Sequence, residues 1–249
     1  MVDYLFMENP LYFTDNGAKN LKTLYNGKTK DVLINEETGS VYLLFKDDAT
    51  GENGVFDPGS NTVGGSVAEK GKTGLKISRY FFELMEKAGV PTHYLGADID
   101  NGLMRVRKLN VPALEFVLRY QTAGSMCRRF TIDPGIAFDP PYAEVTLKDD
   151  LQGDPLISER LCLMKGLLKA GQFDEALNVL TRVGEILKKE LAQMELTLID
   201  FKIELGYDET GKVYVADEIT PDIWRVRDKT GKIPNQIDCA VLILKRIEH

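Results

Sequence analysis

Apolar and polar residues change their period along this chain, and the changes mark its elements. Between residues 24 and 45, Asp31-Val32-Leu33-Ile34 and Val41-Tyr42-Leu43-Leu44-Phe45 are β-rich and flank the turn-forming Asn35-Glu36-Glu37-Thr38-Gly39, which predicts a hairpin. The stretch 51–74 holds Gly51, Gly54, Gly59, Gly64, Gly65, Gly71 and Gly74 with Asn53, Pro58 and Asn61. Such a composition predicts a long loop of the lid or ligand-binding kind. From Ile77 to Ala88 the residues Ile77, Tyr80, Phe81, Leu84 and Met85 share one helical stripe, and Gly89 and Pro91 end it. This helix is expected to pack on the first sheet.

Two further β-like runs, 102–109 and 114–120, are joined through Asn110-Val111-Pro112-Ala113, a segment that fits a hinge between two lobes. Beyond Leu156 the period becomes helical. Residues 172–194 form the longest candidate, with Phe173, Ala176, Leu177, Leu180, Val183, Gly184, Leu187 and Leu191 inward. Residues 198–205 and 212–216 then read as a hairpin closed by the polar, glycine-bearing run 206–211.

Composition narrows the function classes. A chain of 249 residues, 43% hydrophobic and 28% charged, buries a real core and is neither disordered nor collagen-like. Its formal net charge of −7 gives no global positive field for nucleic acid or an anionic membrane, so neither is expected as a partner. The three cysteines, Cys127, Cys162 and Cys239, are far apart and odd in number, which predicts reduced, buried thiols. With His93 and His249 the only histidines, neither a multi-histidine metal site nor an ordinary serine triad is expected, and acid–base work falls to Asp, Glu, Lys and Arg. The opening Met1-Val2-Asp3-Tyr4-Leu5-Phe6 lacks a basic segment followed by a long apolar run, and no stretch is apolar enough to span a bilayer. A cytoplasmic protein is expected.

Chemistry concentrates in three places. In Ile199-Asp200-Phe201-Lys202-Ile203-Glu204-Leu205, strict alternation puts Asp200, Lys202 and Glu204 on one strand face. The return strand runs into Ala216-Asp217-Glu218-Ile219-Thr220-Pro221-Asp222, and one of two hairpin registers points Asp217 to the same face. Two carboxylates on one patch repel each other, a conflict that a hard cation such as Mg²⁺ resolves; a solvated strand face gives the same pattern. Next, Arg119-Tyr120-Gln121-Thr122-Ala123-Gly124-Ser125-Met126-Cys127-Arg128-Arg129 supplies guanidinium, hydroxyl and backbone donors suited to a phosphomonoester, or an arginine-rich helix start facing water. Arg225 and Arg227 either add to that anion pocket or pair with Asp222 and Asp228. Finally, Gly27-Lys28-Thr29-Lys30 precedes a β-run, but a P-loop needs glycine where Lys22 stands; Gly71-Lys72-Thr73 fails likewise at Ser66. A lysine at the first strand still reaches nucleotide phosphates across a cleft in protein kinases. His93 reads as structural, and Trp224 as core or stacking.

In their order along the chain these motifs resemble the phosphoribosylaminoimidazole-succinocarboxamide synthase (SAICAR synthetase) family. The resembling stretches are Leu24-Tyr25-Asn26-Gly27-Lys28-Thr29-Lys30, Phe45-Lys46-Asp47-Asp48-Ala49-Thr50, Ala88-Gly89-Val90-Pro91-Thr92-His93, Leu114-Glu115-Phe116-Val117-Leu118-Arg119 with Thr122-Ala123-Gly124-Ser125, Lys148-Asp149-Asp150 with Gly153-Asp154-Pro155, Asp200-Phe201-Lys202-Ile203-Glu204, and 216–222.

The resemblance implies an α+β fold of two lobes, similar to a kinase or ATP-grasp arrangement with ATP in the cleft. Residues 1–110 would be a β-rich ATP-binding lobe with an antiparallel sheet and a packed helix, and 111–249 an α+β lobe with metal and substrate sites. It implies an ATP-dependent ligase joining carboxyaminoimidazole ribotide to L-aspartate through an acyl phosphate, with Mg²⁺, as a homodimer. Carried over by position, Lys28 and Lys30 meet ATP phosphates, Val111, Ala113 and Glu115 hold adenine and ribose, and Lys202 lies alongside. Glu204 and Asp217 bind the metal. Arg119, Ser125 and Arg225 hold the ribotide phosphate, while Asp200, Asp222 and Asp154 line the substrate side; Lys30, Lys202 and Asp200 form the catalytic set. The chain departs from the family pattern at Lys70-Gly71-Lys72-Thr73-Gly74-Leu75 (usually Lys-Gly-x-x-Asn-Asn), at Arg225-Val226-Arg227-Asp228 (usually Arg-Leu-Trp-Asp), and in a short tail replacing a long C-terminal helix. These departures keep two alternatives: a relative acting on another carboxylate or as a small-molecule kinase, and a non-catalytic nucleotide-binding protein.

Overall fold

The computed structural model describes residues 20–52, 54–57 and 62–248. Residues 1–6, Asn53, Pro58, Gly59, Asn61 and His249, singled out above, lie outside them. Strands β1 (Leu21–Asn26), β2 (Lys30–Asn35) and β3 (Val41–Phe45) run antiparallel, so the expected hairpin forms, with Leu33 opposite Tyr42. Its turn is set by Asn35, whose side-chain oxygen accepts the N–H groups of Glu37 and Thr38 at 2.9 Å.

The loop expected over 51–74 is instead structured. Strands β4 (Asp48–Glu52), β5 (Val55–Phe56) and β6 (Val63–Ser66) make a small sheet in the order β5-β4-β6. Glycine there serves close packing: a Cβ on Gly64 would lie 2.8 Å from the Gly51 Cα. Helix α1 (Lys70–Lys87) starts ahead of the apolar stripe because Asp47, a distant residue, accepts the Gly71 N–H at 2.9 Å. Its Leu75, Ile77, Phe81, Phe82 and Met85 are fully buried, so the expected apolar face holds in part, with Tyr80 and Leu84 at its margin.

Strands β7 (Tyr94–Asp98) and β8 (Leu103–Val106) complete a first sheet in the order β1-β2-β3-β8-β7. The chain then crosses to β9 (Leu114–Gln121), and on the way Asn110 exchanges two 2.9 Å backbone hydrogen bonds with Tyr207. After β9 come α2 (Ser125–Phe130), β10 (Ala137–Leu147), α3 (Glu159–Met164), α4 (Gln172–Gln193), β11 (Thr197–Tyr207), β12 (Val213–Ala216), β13 (Trp224–Arg227) and α5 (Gln236–Ile247). The second sheet has the order β10-β9-β11-β12, and β13 pairs with β11 beside β12. Both sheets, α1, α4 and α5 share one apolar core that includes Phe81, Phe116, Phe201, Leu180 and Ile243.

Two further expectations need correction. The short C-terminal tail is helix α5, capped by Asn235, whose side chain accepts the Ile237 and Asp238 N–H groups at 3.0 and 2.9 Å. Cys162 and Cys239 are buried thiols, but Cys127 is only half-buried because α2 is a short surface turn of helix. No described helix is long and apolar enough to cross a membrane.

Candidate active site

Strand β11 organises the charged residues. Asp200 lies directly opposite Arg119 of β9 on one side and Arg225 of β13 on the other, so register alone delivers two guanidiniums to one buried carboxylate. Arg119 donates to Asp200 and, at 2.6 Å, to Glu144 of β10; Arg225 Nη1 lies 3.0 Å from Asp200. Arg129 joins through Glu144 at 2.7 Å. The Ser125 hydroxyl is 3.4 Å from Arg119 Nη2.

These groups, with Glu115, Asp154 and Lys202, line a cavity of about 200 Å³. Gly124, just before Ser125, packs against the Arg225 guanidinium. It has φ 56° and ψ −130°, and a Cβ there would meet the Arg225 guanidinium at 2.7 Å, so both its conformation and its neighbour require glycine. Lys202, next on the same face of β11, reaches Glu115 of β9 at 2.7 Å.

The same strand face continues to Glu204, which pairs with Lys148 beyond the end of β10. Glu204 is paired in register with Ala216, not with Asp217. Simple alternation would therefore send Asp217 to the opposite face. Asp217 instead leaves the strand with φ 64°, and its carboxylate comes within 3.4 Å of Lys30 Nζ. Burial and then the Asp217 charge push the Glu204 carboxyl above its usual range, partly offset by Lys148. Burial acts to raise Asp217 as well, but Lys30, Lys148 and His93 hold it below the usual range. Two acidic oxygen donors of this kind suit a hard divalent cation. Among the described residues no group of three or more His, Cys, Asp or Glu is arranged to hold a metal, so water or a ligand would complete the coordination.

Lysines from two segments, Lys30 and Lys148, face these acids. Lys30, at the start of β2, is buried and donates to Glu218; burial would lower its pKa, but Asp217 and Glu218 raise it above the ordinary lysine value. Lys148 is raised for the same reason, burial being outweighed by Glu204 and Asp217. Lys28 is more exposed and pairs with Asp150 at 2.5 Å, linking the β1–β2 turn to the segment after β10.

The expected site residues thus fall into two neighbouring groups with exceptions. Arg119, Ser125, Arg225, Asp154, Asp200, Glu115 and Lys202 line the cavity; Lys30, Glu204 and Asp217 meet at the lysine-rich end. Asp222 does not line the cavity; it pairs with Lys70 of α1 at 2.6 Å, and its charge helps raise Lys30. Val111 and Ala113 lie in the crossing segment, where the Ala113 carbonyl accepts the Lys148 N–H at 2.9 Å. Arg227 donates to the Gly231 carbonyl at 2.8 Å and takes no part. Sequence reasoning assigned no role to Glu144, Lys148 or Glu218. Lys148 sits in a motif already noted, whereas Glu144 stands in a run without any local signal.

Comparison with known proteins adds a family. The SAICAR synthetase family model matches residues 23–242. A phosphoribosylaminoimidazole-succinocarboxamide synthase of Clostridium tetani is 36% identical over 230 residues, covering 90% of this chain and all of the relative. One from Finegoldia magna is 36% identical over 209 residues, covering 84% and 87% of the two chains. Among solved structures, a SAICAR synthetase in complex with ADP superposes with a TM-score of 0.79 at 30% identity, covering 90% of this chain and 96% of the other. The synthase of Ehrlichia chaffeensis gives 0.77 at 27% identity, covering 91% and 94%.

Proposed function

The chain belongs to the SAICAR synthetase family, ATP-dependent ligases of purine biosynthesis, and on that premise we propose how its own residues serve the ligation. Lys28, Lys30 and Lys148 receive the phosphates of ATP, with adenine and ribose along Val111, Ala113 and Glu115. Glu204 and Asp217 would hold Mg²⁺, which when bound supplies a Lewis-acid counter-charge to phosphate oxygens. Arg225 and Ser125 take the ribotide phosphate, with Arg119 fixing Asp200 beneath them, and Asp154 lies on the aspartate side. Asp222, tied to Lys70, stands outside the arginine-lined cavity and acts on the lysine-rich end through its charge on Lys30.

The chemistry follows from leaving-group ability. Oxide is a poor leaving group, so the ribotide carboxylate is activated as an acyl phosphate before the amine of L-aspartate attacks and phosphate departs. Lys30, kept cationic by its acidic neighbours, stabilises charge on the transferring phosphoryl group, and Lys202 stands between the two halves of the site. A cytoplasmic homodimer belongs to the same proposal, and sedimentation of the full chain checks the dimer.

One observation carries the reading: Asp200, Lys202 and Glu204 share one face of β11, which leads from the arginine-lined cavity to the lysine and carboxylate cluster. Neither the kinase nor the non-catalytic alternative is favoured by the family relationship. Coupled ADP release is the test. It should require both the ribotide and L-aspartate; release undiminished without aspartate would favour a kinase, and binding without release would favour a non-catalytic protein.

A further inference from the structure

The Asp217 turn needs an explanation, because a side chain with a Cβ disfavours φ 64° and nothing in its local sequence demands it. The neighbour that addresses this turn is His93, at the end of the segment leading into β7. Its backbone N–H donates to the Val215 carbonyl at 2.9 Å, and its ring Nε2 lies 3.1 Å from the Asp217 carbonyl oxygen. One residue thus grips both sides of Ala216. The adjoining Thr92 pairs with Val215 as an isolated bridge and donates to Glu86 of α1 at 2.8 Å, so the gripping segment is itself anchored.

The ring is not free to turn. It is 4% exposed and stands edge-on to Phe82, with ring centres 5.3 Å apart. A carbonyl oxygen only accepts hydrogen bonds, so Nε2 carries the proton. We propose that His93 is a positioning residue for Asp217, its ring N–H fixing the main-chain turn that brings the Asp217 carboxylate round to Glu204 and Lys30. The inference rests on the reading that Asp217 binds the cation. Without the grip, Asp217 would relax toward extended backbone and follow the strand alternation to the far face. His93 touches no substrate; it acts through the turn.

The test uses Mn²⁺ as probe, its binding to the full chain with ADP followed by electron paramagnetic resonance, alongside steady-state kinetics. His93→Phe keeps a ring in the slot and removes the donor; His93→Gln keeps a neutral N–H donor. His93→Phe should weaken Mn²⁺ binding by about 10-fold or more, as loss of a group orienting a metal ligand does, and His93→Gln should restore most of it. The KM for the magnesium nucleotide should rise with the Kd while the KM for the ribotide stays put. Wild-type Mn²⁺ affinity in folded His93→Phe, with affinity lost in Asp217→Asn, would overturn the positioning role alone. Wild-type affinity in Asp217→Asn would instead overturn the cation reading and this inference with it. A ¹⁵N spectrum of the wild-type imidazole needs no variant to fold: a proton on Nε2 supports the grip, and a proton on Nδ1 alone refutes it.

Discussion

Arg225 and Asp200 face each other across β13 and β11, with one guanidinium nitrogen 3.1 Å from Oδ1 and 3.0 Å from Oδ2 of the same carboxylate. Asp200 holds a second guanidinium, that of Arg119, so it does not depend on Arg225 for charge balance. Arg225 is half-buried and opens to the cavity, whereas Arg119 is enclosed. The two arginines should therefore fail in different ways.

Arg225→Ala should act on substrate binding. Loss of a charged hydrogen bond to the ribotide phosphate should raise the ribotide KM by about 10- to 100-fold, equivalent to ~1.5–3 kcal/mol. The KM for ATP and the thermal midpoint should hardly move. Kinetics with each substrate varied in turn would check this, and a ribotide KM within experimental error of wild type would remove Arg225 from the phosphate site.

Arg119→Met should act on the fold. It leaves Glu144 and Asp200 buried with one arginine each, Arg129 and Arg225, both nearer the surface. Breaking a buried pair from one side typically costs ~3–5 kcal/mol, and the remaining partners put the expected loss near the lower end, about 3 kcal/mol. Urea unfolding measures it directly.

Gly124→Ala tests whether Gly124 and Arg225 act together. The added Cβ would meet the guanidinium, whose flexible end yields, and the backbone conformation itself costs about 1–3 kcal/mol for a residue with a side chain. Gly124→Ala should raise the ribotide KM, and adding it to Arg225→Ala should raise it little further, because the affected contact is already gone. Additive losses would separate the two effects.

Lys148→Met addresses the other end of β11. It would leave Asp217 with Lys30 and Glu204 without the lysine it pairs with, and deprive the phosphates of one cation. An increase of about 10-fold in the KM for ATP, with the ribotide KM unchanged, is the expected outcome for a charge-assisted contact of ~1.5 kcal/mol. Equal rises in both would mean that Lys148 supports the whole site and not the nucleotide end.

Much of this arrangement was legible in the residues. Period-two alternation placed Asp200, Lys202 and Glu204 on one face, and the helical stripe of 172–194 became α4 almost to the residue. What escaped has physical causes. The face of Asp217 could not be read from hairpin register, because a single backbone torsion overrides it. The small sheet of β4, β5 and β6 was hidden by glycines that look like loop but serve close strand packing. Glu144 acquires meaning only when β10 pairs with β9 and meets Arg119, a contact that no local pattern announces.

The last expectation concerns pH and comes from the α5 contact with β13. Cys239 is buried, and that burial, opposed in part by the Trp224 indole, pushes its thiol up to about 11 from 9.0. The folded state therefore keeps the proton over a range in which the unfolded chain has lost it. For a group raised on folding, the stabilisation is fully present below the unfolded value and disappears as pH climbs through the folded one. A two-unit difference corresponds to ~2–3 kcal/mol. Lysines and tyrosines also titrate in this range, so the informative quantity is the difference between wild type and Cys239→Ser, which removes the thiol with little change of volume. Denaturant unfolding from below pH 9 to above pH 11 should show the wild type losing about 2–3 kcal/mol more than the variant. Parallel curves would mean that the thiolate forms in the folded protein, and hence that water reaches Cys239 between α5 and Trp224.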